Sequence, residues 1–249
     1  MQEKIFLNSK SGKVCALYDR IGNDESIVLL THGYLSDKNS RTCTVLSEKL
    51  NTVGISTISF DLYGHGESDG NIEQLTVTKA VGSVLAVYDF ALSEGYKKVG
   101  LVGSSFSGGV ALIAASKKPF SVLSLKCPVF DYKKLWDERF GKKGIEEWKK
   151  KGFVEPFGKK WNFEVYEDEA KYDMKKVAAM VKAPTLVVHG DKDSTVPLSQ
   201  AKTLISTLKC EKKMVIVRGA DHFFKTEKQF KIMSEVSFDW AYTHLKITT

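Results

Sequence analysis

The sequence predicts an α/β protein with a mostly parallel central sheet flanked by helices. Short runs that are β-branched or leucine-rich on nearly every residue recur along it, among them Ile27–Leu30, Thr185–Val188 and Met214–Val217. Such runs suit strands buried on both faces of a sheet. Helical patterns fill the gaps between them, and strands that alternate with helices imply parallel pairing through right-handed crossovers. The 249 residues, 43% of them hydrophobic, suffice for one sizeable core.

In chain order, the strands are expected at Lys13–Tyr18, Ile27–Thr31, Ile55–Phe60, Val99–Val102, Val122–Lys126, Pro184–His189 and Met214–Val217. Val81, Val84, Leu85, Tyr88 and Leu92 recur at helical spacing and predict one apolar stripe facing the core, with Gly95 as the stop. A last amphipathic helix is expected over Lys225–Leu245, packing on the body or on a second subunit, so a homodimer is one possibility. No internal repeat or low-complexity linker interrupts the pattern.

One stretch breaks the rhythm. Between the strand ending at Lys126 and the one beginning at Pro184 the chain is far longer than an ordinary crossover needs. Residues 133–163 carry nine lysines and Arg139 against five acidic residues, and they hold Trp136, Trp148 and Trp161. We read residues 131–180 as an inserted cap or lid on a core made of 1–130 and 181–249. Its aromatics form either the cap's own small core or the wall of a substrate pocket. Its lysines form either a solvated face or an anion-binding one.

Composition excludes several classes. No apolar run approaches the ~18 residues of a membrane span, and the opening MQEKIFLNSKSGK lacks the apolar stretch and cleavage site of a signal peptide. Cys15, Cys43, Cys127 and Cys210 lie far apart, and no pair has metal-ligand spacing. They read as reduced thiols of a cytoplasmic protein. The net charge of +7 is mild, and no nucleic-acid module or concentrated basic helix accompanies it.

The chemistry centres on Val99-Gly100-Leu101-Val102-Gly103-Ser104-Ser105-Phe106-Ser107-Gly108-Gly109, which runs into the alanine-rich stretch 110–115. An apolar strand, a Gly/Ser turn and a helix together form the context of a nucleophile elbow, which holds a serine oxygen at the sheet's carboxyl edge. In a G-x-S-x-G register, Ser105 has Gly103 before it and Ser107 after it, whereas Ser107 has Ser105 before it and Gly109 after it. Position favours Ser105, at the turn apex, over Ser107, already in the helix. A serine hydroxyl needs a base, itself oriented by a carboxylate. Asp191 and Asp193 lie just past one late strand, and His222 just past the next, in the order Ser…Asp…His.

These blocks, with Thr31-His32-Gly33-Tyr34 and Asp61-Leu62-Tyr63-Gly64-His65-Gly66-Glu67-Ser68, resemble the α/β-hydrolase fold serine hydrolases over nearly the whole chain. Within that group the chain looks similar to small microbial carboxylesterases, including cinnamoyl and feruloyl esterases. The resemblance places the acid at Asp193 rather than Asp191, and the base at His222 rather than His244. It implies an oxyanion hole made of the Tyr34 and Phe106 N–H groups. It implies no metal and no cofactor, and a small-molecule ester as substrate. His32, His65 and His189 read as structural. Ser107 departs from the glycine usual at that place. Other acyl hydrolases (monoacylglycerol lipases, thioesterases, peptidases, C–C hydrolases) share the pattern, and a non-catalytic binding protein is the remaining alternative.

Overall fold

The computed structural model describes residues 2–21, 25–156 and 158–246. A hairpin opens it, with β1 (Gln2–Ser9) and β2 (Gly12–Asp19) paired antiparallel. There follow β3 (Ser26–Thr31), α1 (Arg41–Thr52), β4 (Ser56–Phe60), α2 (Val77–Ser93), β5 (Lys98–Ser104), α3 (Phe106–Lys117) and β6 (Val122–Lys126). The long connection holds α4 (Tyr132–Lys151), a small ladder of β7 (Phe153–Val154) with β8 (Trp161–Asn162), α5 (Phe163–Glu169) and α6 (Met174–Met180). The fold is completed by β9 (Thr185–Gly190), α7 (Leu198–Thr207), β10 (Lys212–Val217) and α8 (Glu227–Leu245).

Eight strands form the main sheet in the order β1-β2-β4-β3-β5-β6-β9-β10. The pairings from β4 to β10 are parallel, and β2 joins β4 antiparallel. Each of the seven expected strands is present, its ends shifted by at most two residues. The alternating β1 is an addition to the expectation. Its solvent-facing residues leave only Ile5 and Leu7 to pack inward, so no continuous apolar run announces it.

The sheet's two faces bury different residues of the same strands. Ile27, Leu29, Leu101 and Leu123 pack with α2 and α3, whereas Val28, Leu30, Val102 and Val122 pack with Cys43, Leu46 and Leu50 of α1 and with Ala241 and Leu245 of α8. That two-sided burial explains the unbroken apolar runs, each such side chain contributing roughly 1.5–3 kcal/mol. In α2 the expected stripe holds at Val81, Val84 and Tyr88, but Leu92 is 44% exposed in the last turn, beyond the reach of the core. Gly95, at φ 93°, follows the helix end as expected.

The inserted stretch does not stand apart from the body. Trp136, Trp148, Trp161 and Val165 belong to the same buried cluster as the α2 and α3 side of the sheet. Asp131 caps α4 by accepting from Lys134 N, and Gln200 of α7 fixes the start of that helix by accepting from the Phe130 and Asp131 amides. A kink at Gly141 (φ 63°) divides α4 in two. Among the described residues, no helix is long and apolar enough to cross a membrane.

Candidate active site

Ser105 sits between β5 and α3 at φ 54°, ψ −115°, a conformation that side-chain-bearing residues rarely adopt. Small neighbours make this turn possible. A Cβ on Gly103 would lie 2.6 Å from the Ser107 carbonyl oxygen, and one on Gly109 would lie 2.4 Å from that of Val129. Ser107 is fully buried and works inside the elbow. Its Oγ accepts from Ser104 N at 2.8 Å and lies within hydrogen-bond reach of the Ser104 and Thr31 carbonyls. The hydroxyl thus satisfies a buried amide of the turn, which accounts for serine at this position.

His222 follows β10, and its Nε2 lies 2.9 Å from Ser105 Oγ. Its Nδ1 lies 2.7 Å from Asp193 Oδ2 in the loop after β9. The other Asp193 oxygen accepts from the Thr195 and Val196 amides, both at 2.9 Å. Burial pushes the Asp193 carboxyl's pKa up, but the hydrogen bonds from His189 and His222 outweigh it and hold the group well below the usual carboxylate range. The three expected side chains therefore meet in one hydrogen-bonded chain. Asp191 is elsewhere, accepting from Gly219 N at 2.6 Å as a turn residue, and His244 bonds the Trp240 carbonyl within α8.

Tyr34 lies in the loop after β3, beside the elbow: a Cβ on neighbouring Gly33 would lie 3.3 Å from Ser105 Cβ. Two buried imidazoles brace this loop. His32 Nε2 accepts from Leu62 N at 3.1 Å while Nδ1 donates to the Gly33 carbonyl, and His65 Nε2 accepts from Leu35 N at 3.3 Å. Burial, aided by His65, pulls the His32 pKa down to about 4 and keeps its ring neutral. Below them, Asp61 accepts from the Lys38 amide, the Lys38 ammonium and Glu67 N. Gly66 permits this packing, since a Cβ there would overlap the Asp61 carboxylate. The Phe106 amide opens α3, in the first turn where helix N–H groups lack intrahelical acceptors.

A cavity of about 390 Å³ opens above Ser105. Tyr34, Phe106, Tyr132, Trp136 and Trp161 supply an aromatic wall, while Ser36, Thr42, Ser104 and Lys126 are polar residues of its lining. The cap tryptophans thus divide between the two roles open to them: Trp136 and Trp161 line the cavity, and Trp148, 1% exposed, sits in the cap's own core with its indole donating to the Trp161 carbonyl. Sequence reasoning missed Ser104, Thr42 and Lys126 as cavity residues. Lys126 ends an apolar strand, and only the pairing of Ser104 with Lys126 across β5 and β6 brings the two together.

Among the described residues, one group of side chains has metal-ligating types. The Cys127 sulfur and the ligand atoms of Asp193 and His222 lie within 4.8 Å of one another. Burial, reinforced by the Asp193 charge, pushes the Cys127 thiol well above its ordinary pKa, and both His222 nitrogens already face Asp193 and Ser105. A protonated thiol is a poor metal ligand, so this set fits a metal badly.

Strand order, a strained serine elbow, and an aspartate and a histidine after the last two strands define an α/β-hydrolase. Residues 69–248 match the prolyl oligopeptidase family, and the chain belongs to that family. Among curated proteins it is similar to the palmitoyl-protein thioesterase ABHD10, mitochondrial, of Bos taurus, at 28% identity over 231 residues, or 87% of this chain and 73% of that protein. The Mus musculus protein of the same name is 35% identical over 108 residues, spanning 43% of this chain and 35% of its own length. Among solved structures, Est1E from Butyrivibrio proteoclasticus with bound ferulic acid superposes with a TM-score of 0.85 at 21% identity, covering 96% of this chain and 98% of that one. Mouse alpha/beta hydrolase domain-containing protein 10 gives 0.83 at 22% identity, covering 95% and 97%.

Proposed function

We propose that the chain is a serine hydrolase that cleaves carboxylic esters with short-chain or aromatic acyl groups through an acyl-enzyme. The observation that carries this reading is the unbroken Asp193–His222–Ser105 chain, at 2.7 and 2.9 Å, beneath an aromatic-walled cavity. His222 Nε2 takes the hydroxyl proton as Ser105 Oγ attacks the acyl carbon. Asp193 stays ionised, holds the imidazole tautomer and stabilises the imidazolium. The carbonyl oxygen becomes anionic and accepts from the Tyr34 and Phe106 amides. His222 then returns the proton to the departing oxygen, and the alcohol leaves. Water, deprotonated by His222, attacks the acyl-enzyme and regenerates Ser105 with release of the acid.

A thioester substrate is the second reading, favoured by the names of the curated relatives. It uses the same steps with a thiol as the leaving group. The test is hydrolysis of p-nitrophenyl esters from acetate to decanoate, beside methyl ferulate and an acyl thioester of matched length. Turnover that falls at least ~10⁴-fold in Ser105→Ala supports the serine mechanism, and the ratio of ester to thioester rates chooses between the readings. A folded wild-type chain that turns over none of these and ignores a fluorophosphonate probe is a binding protein instead.

A further inference from the structure

The Lys126 side chain ends β6 at the rim of the cavity, on the face of the sheet covered by α1. Its ammonium lies 5.5 Å from the Phe224 ring centroid, and among the described residues it has neither an ion-pair nor a hydrogen-bond partner. Burial pulls its pKa below the ordinary lysine value. The side chain is partly buried and borders the cavity, so an anion bound there gains a charge-assisted partner at little further desolvation cost.

Neutral donors surround the same place. Thr42, 7% exposed, lines the cavity, and its hydroxyl has no hydrogen-bond partner among the described residues. Ser104 Oγ is buried and likewise unpartnered, and the register of β5 with β6 sets Ser104 beside Lys126 on one face. The first turn of α1 opens on this side of the cavity at Ser40 and Thr42 and contains no acidic residue. It therefore presents the positive end of a helix with no carboxylate of its own to neutralise it.

We propose that Lys126 and Thr42 form a carboxylate-binding subsite within the active-site cavity, and that the substrate carries a carboxylate on the group that leaves. This rests on the ester-hydrolase reading above. One ammonium with one neutral hydroxyl matches a single negative charge, and a carboxylate is the monoanion the proposal commits to. The side is set by the base. His222 hands its proton to the leaving atom, so the leaving group lies beside His222 and Phe223. Lys126 is on that side: the adjoining Cys127 packs against Asp193 and His222, and the Lys126 ammonium rests near Phe224. The acyl group takes the aromatic wall of Trp136 and Trp161.

The test compares two chromogenic esters that differ only in the leaving group, 4-nitrophenyl butyrate and the butyrate ester of 5-hydroxy-2-nitrobenzoate, whose leaving group bears a carboxylate. The readout is the ratio of kcat/KM for the anionic ester to that for the neutral one, in which any general loss cancels. Lys126→Met lowers this ratio about tenfold or more, Lys126→Arg preserves most of it, and Thr42→Val lowers it by about threefold. Should Lys126→Met not fold, Thr42→Val decides alone. A ratio unchanged in these variants, with both esters hydrolysed, overturns the subsite and leaves the hydrolase standing. A wild-type chain that hydrolyses neither ester overturns both.

Discussion

Glu169, at the end of α5, is 2% exposed, and among the described residues neither of its carboxyl oxygens has a hydrogen-bond partner. Burial pushes its pKa well above the carboxylate range, opposed by the Trp136 indole and assisted by the Asp168 charge. The unfolded carboxyl titrates near ~4.3. Below that pH both states hold the proton and the site carries no penalty. As pH rises, the unfolded chain releases its proton while the buried group keeps it, so stability falls up to the folded pKa. In Glu169→Gln this loss disappears. Between pH 4 and pH 7 the variant should gain progressively on wild type, read by urea unfolding at each pH. A gap that does not change with pH counts against a protonated Glu169. At this scale the sequence was legible wherever a residue's neighbours along the chain set its role, as at Ser105 and Asp193. Glu169 was not, because its burial depends on Trp136 packing from another helix.

At the scale of elements, α5 is fastened to α2 by one carboxylate. Asp168, 3% exposed, accepts from Thr78 N at 2.8 Å and Thr78 Oγ1 at 2.7 Å. Thr78 is in the first turn of α2, which holds no acidic residue of its own. Asp168 therefore places a negative charge against the positive end of a helix ninety residues away in sequence. Asp168→Asn should lower stability by about 1–2 kcal/mol and quicken protease cleavage within residues 132–172. Unchanged melting together with an unchanged cleavage rate would sink this view of the anchor. The helices and strands themselves were largely readable because their burial patterns repeat at a fixed period. β1 was not, since only Ile5 and Leu7 turn inward. The Asp168 anchor was not either, because an acidic residue that caps a distant helix looks like any other acid on a charged face.

Across the whole molecule, the sheet order shows why the site lies where it does. From β3 the chain runs outward to β4, then crosses back so that β5 lies on the other side of β3. The loops after β3 and β5 diverge at that point and leave a crevice at the strands' carboxyl ends, which Tyr34 and Ser105 border. This placement was legible, because each motif follows an apolar run. The shape of the cavity was not, because cap residues far along the chain build its aromatic wall.

The same order puts β10 at the margin of the sheet, joined to β9 alone, with Lys212, Lys213 and Ile216 exposed. A strand with one neighbour and little buried surface is the part of a sheet that opens most readily, well short of global unfolding. His222 follows that strand. Opening of β10 withdraws the base while the rest of the sheet stays paired, so in rising urea hydrolysis should fade before far-UV circular dichroism changes. Superimposable curves would mean that the margin is as firm as the centre. Chemistry in this chain depends on a strand at the margin of its sheet, and hydrolytic activity is therefore a more sensitive gauge of native order than any bulk spectroscopic signal.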